Sequence, residues 1–457
     1  MYIPRTLHTL RTWVILELKE EVSKLLSEEI KLLREEGYRV DDVEPIVSEL
    51  LKAKDLDLGR LLELYEKLLE LPTRQDFRYH ESLTYVDIVR ERSKLPESEL
   101  PRRSVVEDKV RGGFIGRLIG CMVGKPVEGW SFREIRARLL EIGEYPLTGY
   151  FPRKFFKEHE LQEMGRWRLV REAISEVVRD DDIDYTILNI EVYRRYGSSF
   201  TTEDIGRTWL ELIPYSMTYT AERATYRNLV LGLKPPYTAI FLNPYREWIG
   251  ARIRADTWGY IASGDLEKAS EYAYRDATLS HVKNAVYSAI MVAIMISHAY
   301  VASSIEEVVD VGLRAIPQNS RLAEAVRHVI DLWKRGVTWE EVIEQIYTRY
   351  SNYHPVHTIP NDAIVIAALL WGEEKLDRSI ALAAMSGLDT DCNAATVGSI
   401  VGTYLGYSRF SEEIKERLVK PIVTRIQTVI WPYSNRTAGE VIEQLLKTME
   451  RHGVINS

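Results

Sequence analysis

The chain has 457 residues, of which 45% are apolar and 28% charged, a composition typical of a packed globular protein and not of a disordered or fibrous one. The formal charge of -8, with no basic run interleaved with aromatic residues, argues against nucleic acid as a partner. Two cysteines are too few for a disulfide-rich secreted scaffold.

The N-terminal region is predicted to be helical. Its apolar WVIL run is too short, and too soon followed by charge, for a signal peptide or a membrane span, so we expect a cytoplasmic protein with no membrane partner. From Leu16 to about Leu71, apolar residues recur three and four apart, the pattern of two or three amphipathic helices.

A stretch rich in Pro, Ser and charge, residues 94–104, marks the predicted domain boundary. We therefore predict an N-terminal helical extension over residues 1–103 and a catalytic domain over residues 104–457. The sequence of the extension shows no cluster of catalytic or metal-binding residue types. We expect it to cover part of the larger domain or a dimer surface. The sequence therefore leaves open whether the protein forms a homo-oligomer.

The larger domain is dominated by helical periodicity, and strand-like alternation is scarce. The fold class is therefore predicted to be all-α. The predicted helices are Val105–Val123, Ile183–Tyr196, Leu266–Ala302, Ile305–Ala315, Arg321–Arg335, Asn361–Leu370, Leu376–Met385, Ala394–Tyr407 and Ala438–His452.

Two of these segments carry a small residue at every fourth position. Such a spacing clears one helix face so that another backbone can approach, at a propensity cost of about 1 kcal/mol for each Gly relative to Ala. This indicates two tightly packed central helices, although core packing alone explains the glycines. The positions are Gly112, Gly116, Gly120 and Gly124, then Ala394, Gly398, Gly402 and Gly406.

The first acidic cluster is the string RDDDIDYT, which places four aspartates at the start of an apolar helix. One carboxylate there needs only the helix dipole and the free amides as an explanation. Four adjacent carboxylates repel one another, and hard divalent cations offset that repulsion best. The four are Asp180, Asp181, Asp182 and Asp184.

The second cluster, SGLDTDCNAAT, places Asp389 and Asp391 in apolar surroundings just before the second small-residue helix. Carboxylates in such a setting are seldom buried unless they are paired or metal-bound. Two carboxylate clusters from separate helices are what a two-metal hydrolase needs to generate a nucleophile near neutral pH. A surface loop and a solvated helix cap remain the alternatives.

Three segments together resemble the ADP-ribosylglycohydrolase family. RGGFIGRLIGCMVGKPVEG is similar to its opening GALLGLAxGDALGxPxE, with Glu128 in the place of the active-site acid. DDDIDYTIL resembles TDDTxxxL, and GLDTDCNAATVGSIVGTYLG resembles GxDTDTxAAxxGxxxGxxxG. A weaker match, RDATLSHVKNAVYSA, looks like a TH segment and places His281 near the pocket.

The resemblance implies a compact helical hydrolase with two Mg²⁺ (or Mn²⁺) ions that cleaves a ribosyl N- or O-glycosidic bond in an ADP-ribose conjugate or a simpler riboside. It implies that the metals chelate the ribose hydroxyls and orient a water, that Asp391 or Asp181 accepts the proton, and that Glu128 gates the metals or steers substrate. The implied metal ligands are Asp180, Asp181, Asp182, Asp389 and Asp391.

The sequence departs from the family pattern at three positions. Asp180 stands where the first motif has a hydroxyl ligand, and Cys392 where the second has one. Sulfur is a poor ligand for magnesium, so we expect Asn393 to supply the missing oxygen. Cys121 replaces the Asp of GDALG.

A Pro-bearing loop, YHPVHTIPND, adds His354, His357 and Asn361 as candidate substrate-binding residues, with a hydrogen-bonded structural loop as the alternative. Two other functions compete with the hydrolase. The first is a non-catalytic ribose- or nucleotide-binding protein that keeps the fold. The second is an isoprenoid-diphosphate enzyme, because DDDID satisfies DDxxD, although the second metal motif of such enzymes is absent from the sequence.

Overall fold

A computed structural model of the chain describes residues 6–52, 58–97 and 100–455. Within these ranges the backbone forms α-helices joined by short 3-10 turns, and the described β pairing consists of isolated bridges only. The prediction of an all-α fold is confirmed. None of the described helices combines the length and the apolar character needed to cross a membrane.

The N-terminal part contains four helices, of which the first three share a small core. They are α1 (Thr6–Glu35), α2 (Glu44–Lys52), α3 (Leu58–Leu69) and α4 (Tyr85–Glu91). The buried residues of this core form a cluster separate from the main one, drawn from Leu26, Ile30, Leu33, Val40, Val43, Val47, Leu50, Leu64, Tyr65 and Leu68. The division at residue 103 stays a prediction, although this second core is compatible with it.

Buried ion pairs join the N-terminal helices to the larger domain. Arg246 donates to Glu29 over 2.7 Å, and Lys283 donates to Glu36 over 2.9 Å. Charges that are removed from water need such partners, because an unpaired buried charge is strongly destabilising. The end of α1 therefore docks at a fixed place on the larger domain, as expected for a segment that covers it.

The larger domain is built from eighteen further described helices around one extensive core. They are α5 (Arg103–Gly124), α6 (Phe132–Glu141), α7 (Glu158–Gln162), α8 (Asp181–Tyr196), α9 (Thr202–Leu212), α10 (Thr220–Val230), α11 (Tyr237–Ile240), α12 (Asp256–Ala262), α13 (Leu266–Ala277), α14 (Lys283–His298), α15 (Ile305–Arg314), α16 (Arg321–Lys334), α17 (Trp339–Arg349), α18 (Thr358–Trp371), α19 (Leu376–Met385), α20 (Thr390–Leu405), α21 (Glu412–Ile414) and α22 (Ala438–Arg451).

The two small-residue helices, α5 and α20, pack against each other at the centre of this domain. A Cβ built on Gly116 would lie 2.0 Å from the carbonyl oxygen of Gly398, and one built on Gly398 would lie 2.1 Å from the carbonyl oxygen of Gly116. No side chain fits at that spacing. At one end of the pair, Thr390 Oγ1 donates to the carbonyl oxygen of Gly124 over 2.8 Å, which brings the second acidic cluster next to the end of α5.

The structure divides one of the predicted helices into two separate helices. The apolar pattern from Leu266 to Ala302 continues through a break between α13 and α14, where Ser280 and His281 are buried. Arg254 donates to Ser280 Oγ over 2.9 Å at this point, so a polar interaction holds the chain out of the helix. Periodicity alone does not reveal a break whose flanking helices are both buried.

Candidate metal centre

The two acidic clusters meet at the N-terminal ends of α8 and α20. Asp180 is the N-cap of α8, and its Oδ1 accepts from the backbone N–H of Asp182 over 2.8 Å. Asp389 is the N-cap residue of α20. The thiol of Cys392, in the first turn of α20, donates to Asp182 Oδ2 over 2.9 Å and so links the two clusters directly.

Two overlapping groups of side chains have ligand atoms no more than 4.8 Å apart: Asp182 with Asp391 and Cys392, and Glu128 with Asp389 and Asp391. Asp389 is only 6% exposed and Asp391 only 4%. The Oδ1 atoms of these two aspartates are buried and accept no hydrogen bond within the described part of the chain. Buried carboxylate oxygens without partners are costly. A divalent cation that prefers oxygen ligands fits both.

Crowding of negative charge raises the pKa of several of these carboxyl groups. The pKa of Glu128 rises to about 9, chiefly because of the charge on Asp391. Burial, followed by the charge on Asp180, raises the pKa of Asp391 to about 6. Burial and the same neighbour also raise the pKa of Asp181, which is half-buried at the first position of α8. A bound cation reverses this effect, because it favours the ionised form of each carboxylate.

Two basic side chains offset part of the charge. Lys125, in the 3-10 turn that follows α5, donates to Asp180 Oδ2. Although burial opposes the effect, this ammonium lowers the pKa of Asp180. Arg117 is fully buried and donates to Asp182 Oδ1 over 3.1 Å and to Asp256 Oδ2 over 2.9 Å. Asp182 is thus held in place by Arg117 on one oxygen and by the thiol on the other.

A chain of amide and guanidinium groups supports the second cluster from behind. Asn361 Oδ1 accepts from the backbone N–H of Asp389 over 3.3 Å and from Asn393 Nδ2 over 2.8 Å. Arg252 donates to Asn393 Oδ1 over 2.6 Å and to Asp362 over 2.8 Å. The amide oxygen that we expected Asn393 to offer a metal is therefore already in use. We leave Asn393 out of the ligand set proposed below, and the role of Asn361 in substrate binding stays a prediction.

The fourth aspartate of the first cluster has a structural environment. Asp184 Oδ2 accepts from Arg179 over 2.7 Å, and its Oδ1 accepts from Thr428 over 2.6 Å and from the backbone N–H of Val429 over 3.1 Å. These contacts tie α8 to the segment that precedes α22. They also occupy the last aspartate of the DDxxD pattern, which leaves the isoprenoid-diphosphate hypothesis without a free carboxylate at that position.

The three candidate histidines lie in other networks. His281 is buried, with Nδ1 2.7 Å from Ser280 Oγ and Nε2 3.9 Å from Glu222. His357 caps α18, and its Nδ1 accepts from the backbone N–H of Ile359 over 3.2 Å. His354 is exposed and stacks on Trp248, with ring centroids 4.0 Å apart. Among the described residues, no hydrogen bond joins these rings to the acidic clusters, and their roles in substrate binding stay predictions.

Lys125 and Arg117 were not predicted as residues of the site. Lys125 had a usable signal, because it lies three residues before Glu128 inside the segment that resembles the family. Arg117 had none, because its partners Asp182 and Asp256 come from remote parts of the chain. The spacing of Arg252 and Arg254 suits a phosphate or a carboxylate, and Arg252 binds the carboxylate of Asp362. Only the fold shows which carboxylates they meet.

The sequence model of the ADP-ribosylglycohydrolase family matches residues 102–451. The chain belongs to this family. A protein of Archaeoglobus fulgidus described as uncharacterized is 24% identical over 325 residues, which cover 68% of this chain and 93% of that protein. A solved structure titled "ADP-ribosylglycohydrolase-related protein complex" shares the fold with a TM-score of 0.50 at 18% identity, covering 76% of this chain and 99% of that chain.

The geometry clarifies how this member departs from the ADP-ribosylglycohydrolase pattern. Cys121 and Cys392 are both buried free thiols, and burial raises the pKa of each well above its ordinary value. The Cys392 thiol donates to Asp182. The other groups whose ligand atoms lie near Asp391 are the carboxylates of Asp182, Glu128 and Asp389, and carboxylate oxygens suit a hard divalent cation.

Proposed function

We propose that the protein is a metal-dependent glycohydrolase that cleaves an N- or O-ribosyl bond, with an ADP-ribosyl conjugate as the preferred substrate class. Family membership supports the reaction type. The observation that carries the metal dependence is the pair of buried Oδ1 atoms of Asp389 and Asp391 that have no protein partner. The proposed ligands are the carboxylates of Asp389 and Asp391, with Glu128 at the open side, because both oxygens of Asp182 already accept hydrogen bonds from Arg117 and Cys392.

In this proposal, the divalent cation supplies a Lewis acid that polarises substrate oxygens and makes a water easier to deprotonate near neutral pH. Asp391 accepts the proton of the attacking water as positive charge develops at the anomeric carbon. Asp181 is the second candidate for this base. Glu128 is exposed beside Asp391, where it contacts the ribose and orients it.

A neighbouring cavity supports a substrate larger than a simple riboside. It has a volume of about 470 Å³ and is lined by rings and by basic and acidic side chains, including those of Tyr219, Arg223 and Trp248. Arg179, the residue before Asp180, donates to the hydroxyl of Tyr219 over 3.1 Å, so the cavity adjoins the first acidic cluster. Aromatic side chains can stack on the adenine base, and a guanidinium group can donate hydrogen bonds to a phosphate. We propose that this cavity holds the ADP part of the substrate.

Turnover of defined conjugates tests the proposal. Peptides with N-linked and O-linked ADP-ribose, together with simple ribosides, are incubated with the protein in Mg²⁺ or Mn²⁺ and in EDTA, and released ADP-ribose or ribose is quantified. We expect release that depends on the metal and is lost in Asp391→Asn. Release in EDTA at the metal-supported rate would contradict the metal dependence.

A binding protein that retains the fold is the second candidate. It is favoured by one observation: a free thiol stands at Cys392, where the family pattern has a hydroxyl ligand, and another at Cys121, where the pattern has an Asp. Tight binding of ADP-ribose, measured by calorimetry, with no release from any conjugate in the presence of metal would support this candidate over the hydrolase.

A further inference from the structure

Lys125 brings a positive charge into the acidic centre from inside the protein. Its side chain is 14% exposed and that of its partner, Asp180, only 2%. The ammonium donates to Asp180 Oδ2.

The Lys125–Asp180 pair leaves Asp180 with little capacity to bind a metal. Asp180 Oδ1 accepts from the backbone N–H of Asp182 as the cap of α8, and Oδ2 accepts from the ammonium. Among the described carboxylates of the two acidic clusters, the buried oxygens that lack a hydrogen-bond partner belong to Asp389 and Asp391 instead. The centre therefore has two unlike halves: the Asp389–Asp391 half has unpaired carboxylate oxygens, and the Asp180 half already contains a cation.

The other basic groups near the centre do not have this position. Arg117 binds Asp182 but divides its donors between that residue and Asp256. Arg179 divides its donors among Asp184, the hydroxyl of Tyr219 and the carbonyl oxygen of Met217. A divalent ion placed beside the Lys125 ammonium would meet like-charge repulsion in a buried setting, where screening by water is weak.

We propose that Lys125 takes the place of one of the two metal ions, so that the centre binds a single divalent cation at Asp389 and Asp391, with Glu128 at its open side and the Lys125–Asp180 pair at the second position. This inference rests on the metal centre of the proposed function and revises the number of ions that the resemblance implied. The ammonium then provides positive charge beside the substrate oxygens without a second ion.

The number of bound ions tests this inference directly. The protein is loaded with Mn²⁺ and passed through a desalting column. Manganese per chain is then measured by elemental analysis, and electron paramagnetic resonance distinguishes an isolated ion from a coupled pair. We expect one isolated ion in the wild type and in Lys125→Arg, which keeps the charge. In Lys125→Met, which keeps the length of the side chain, we expect two ions and the signal of a coupled pair.

Lys283→Met is the matched control, because it removes a buried lysine that pairs with Glu36 away from the acidic clusters. It should keep one ion. Two ions in the wild type would overturn the inference by themselves. A single ion in Lys125→Met would also overturn it, provided that this variant unfolds cooperatively. No ion in either protein would overturn the metal centre of the proposed function as well, so the two failures are distinguishable.

Discussion

The contact between α5 and α20 sets the geometry of the metal centre, and Gly116→Ala tests it. The new Cβ would lie 2.0 Å from the carbonyl oxygen of Gly398, whereas ordinary contact begins at 3.4 Å, so the helices must separate locally by about 1.4 Å. Overpacking of this kind costs about 3 kcal/mol, and Ala recovers about 1 kcal/mol of helix propensity. We expect the free energy of unfolding to fall by about 2 kcal/mol.

Urea denaturation followed by circular dichroism measures this change. Gly439→Ala is the matched control, because Gly439 is exposed in the first turn of α22 and the nearest atom to a Cβ there is 3.9 Å away. The control should gain up to about 1 kcal/mol from helix propensity. Equal stabilities of the two variants would refute the argument that the close approach of α5 and α20 requires glycine.

Three further predictions concern the site. Asp184→Ala should destabilise the protein by about 3 kcal/mol, because it breaks a buried charge pair, yet leave Mn²⁺ binding intact, as judged by urea denaturation and elemental analysis; loss of the metal would contradict the structural role of Asp184. Tyr219→Ala and Arg223→Ala should each raise the KM for an ADP-ribosyl conjugate several-fold while the KM for a simple riboside stays constant, and equal effects on both substrates would argue against the cavity as the ADP site. The pKa values of Asp391 and Glu128, raised to about 6 and about 9, imply that these two groups bind more protons in the metal-free fold than in the unfolded chain between about pH 4 and 9. Histidines with lowered pKa values, such as His281 and His357, oppose this effect at acidic pH, and Lys109, with its pKa lowered to about 8, opposes it at alkaline pH. Between about pH 6.5 and 8, metal-free Tm should therefore fall as the pH rises, and the increase in Tm on adding Mn²⁺ should grow; a metal-free Tm that rises there would contradict the assignment.

Sequence patterns predicted the helical class and the two acidic clusters because both depend on local order along the chain. The four-residue spacing of small residues requires a helix face, and the α5–α20 contact confirms that interpretation. Helices such as α9 (Thr202–Leu212) and α17 (Trp339–Arg349) were not among those predicted, although each begins with a capping box.

The partners of individual polar side chains were beyond prediction from the sequence. Asn393 appeared suited to a metal, but its oxygen accepts from Arg252, which lies 141 residues earlier. Likewise, Lys125 meets Asp180 across 55 residues of chain. Such pairings depend on how helices pack, and a pattern of residues along one segment does not encode them.

The metal centre itself is tested most directly by thermal unfolding of the wild type and Asp391→Ala in Mn²⁺ and in EDTA. A ligand that binds the native state raises its stability by mass action. We predict that Mn²⁺ raises the Tm of the wild type and leaves that of Asp391→Ala unchanged. The same Tm for the wild type in Mn²⁺ and in EDTA, with no manganese retained, would contradict the metal centre and the hydrolase function built on it.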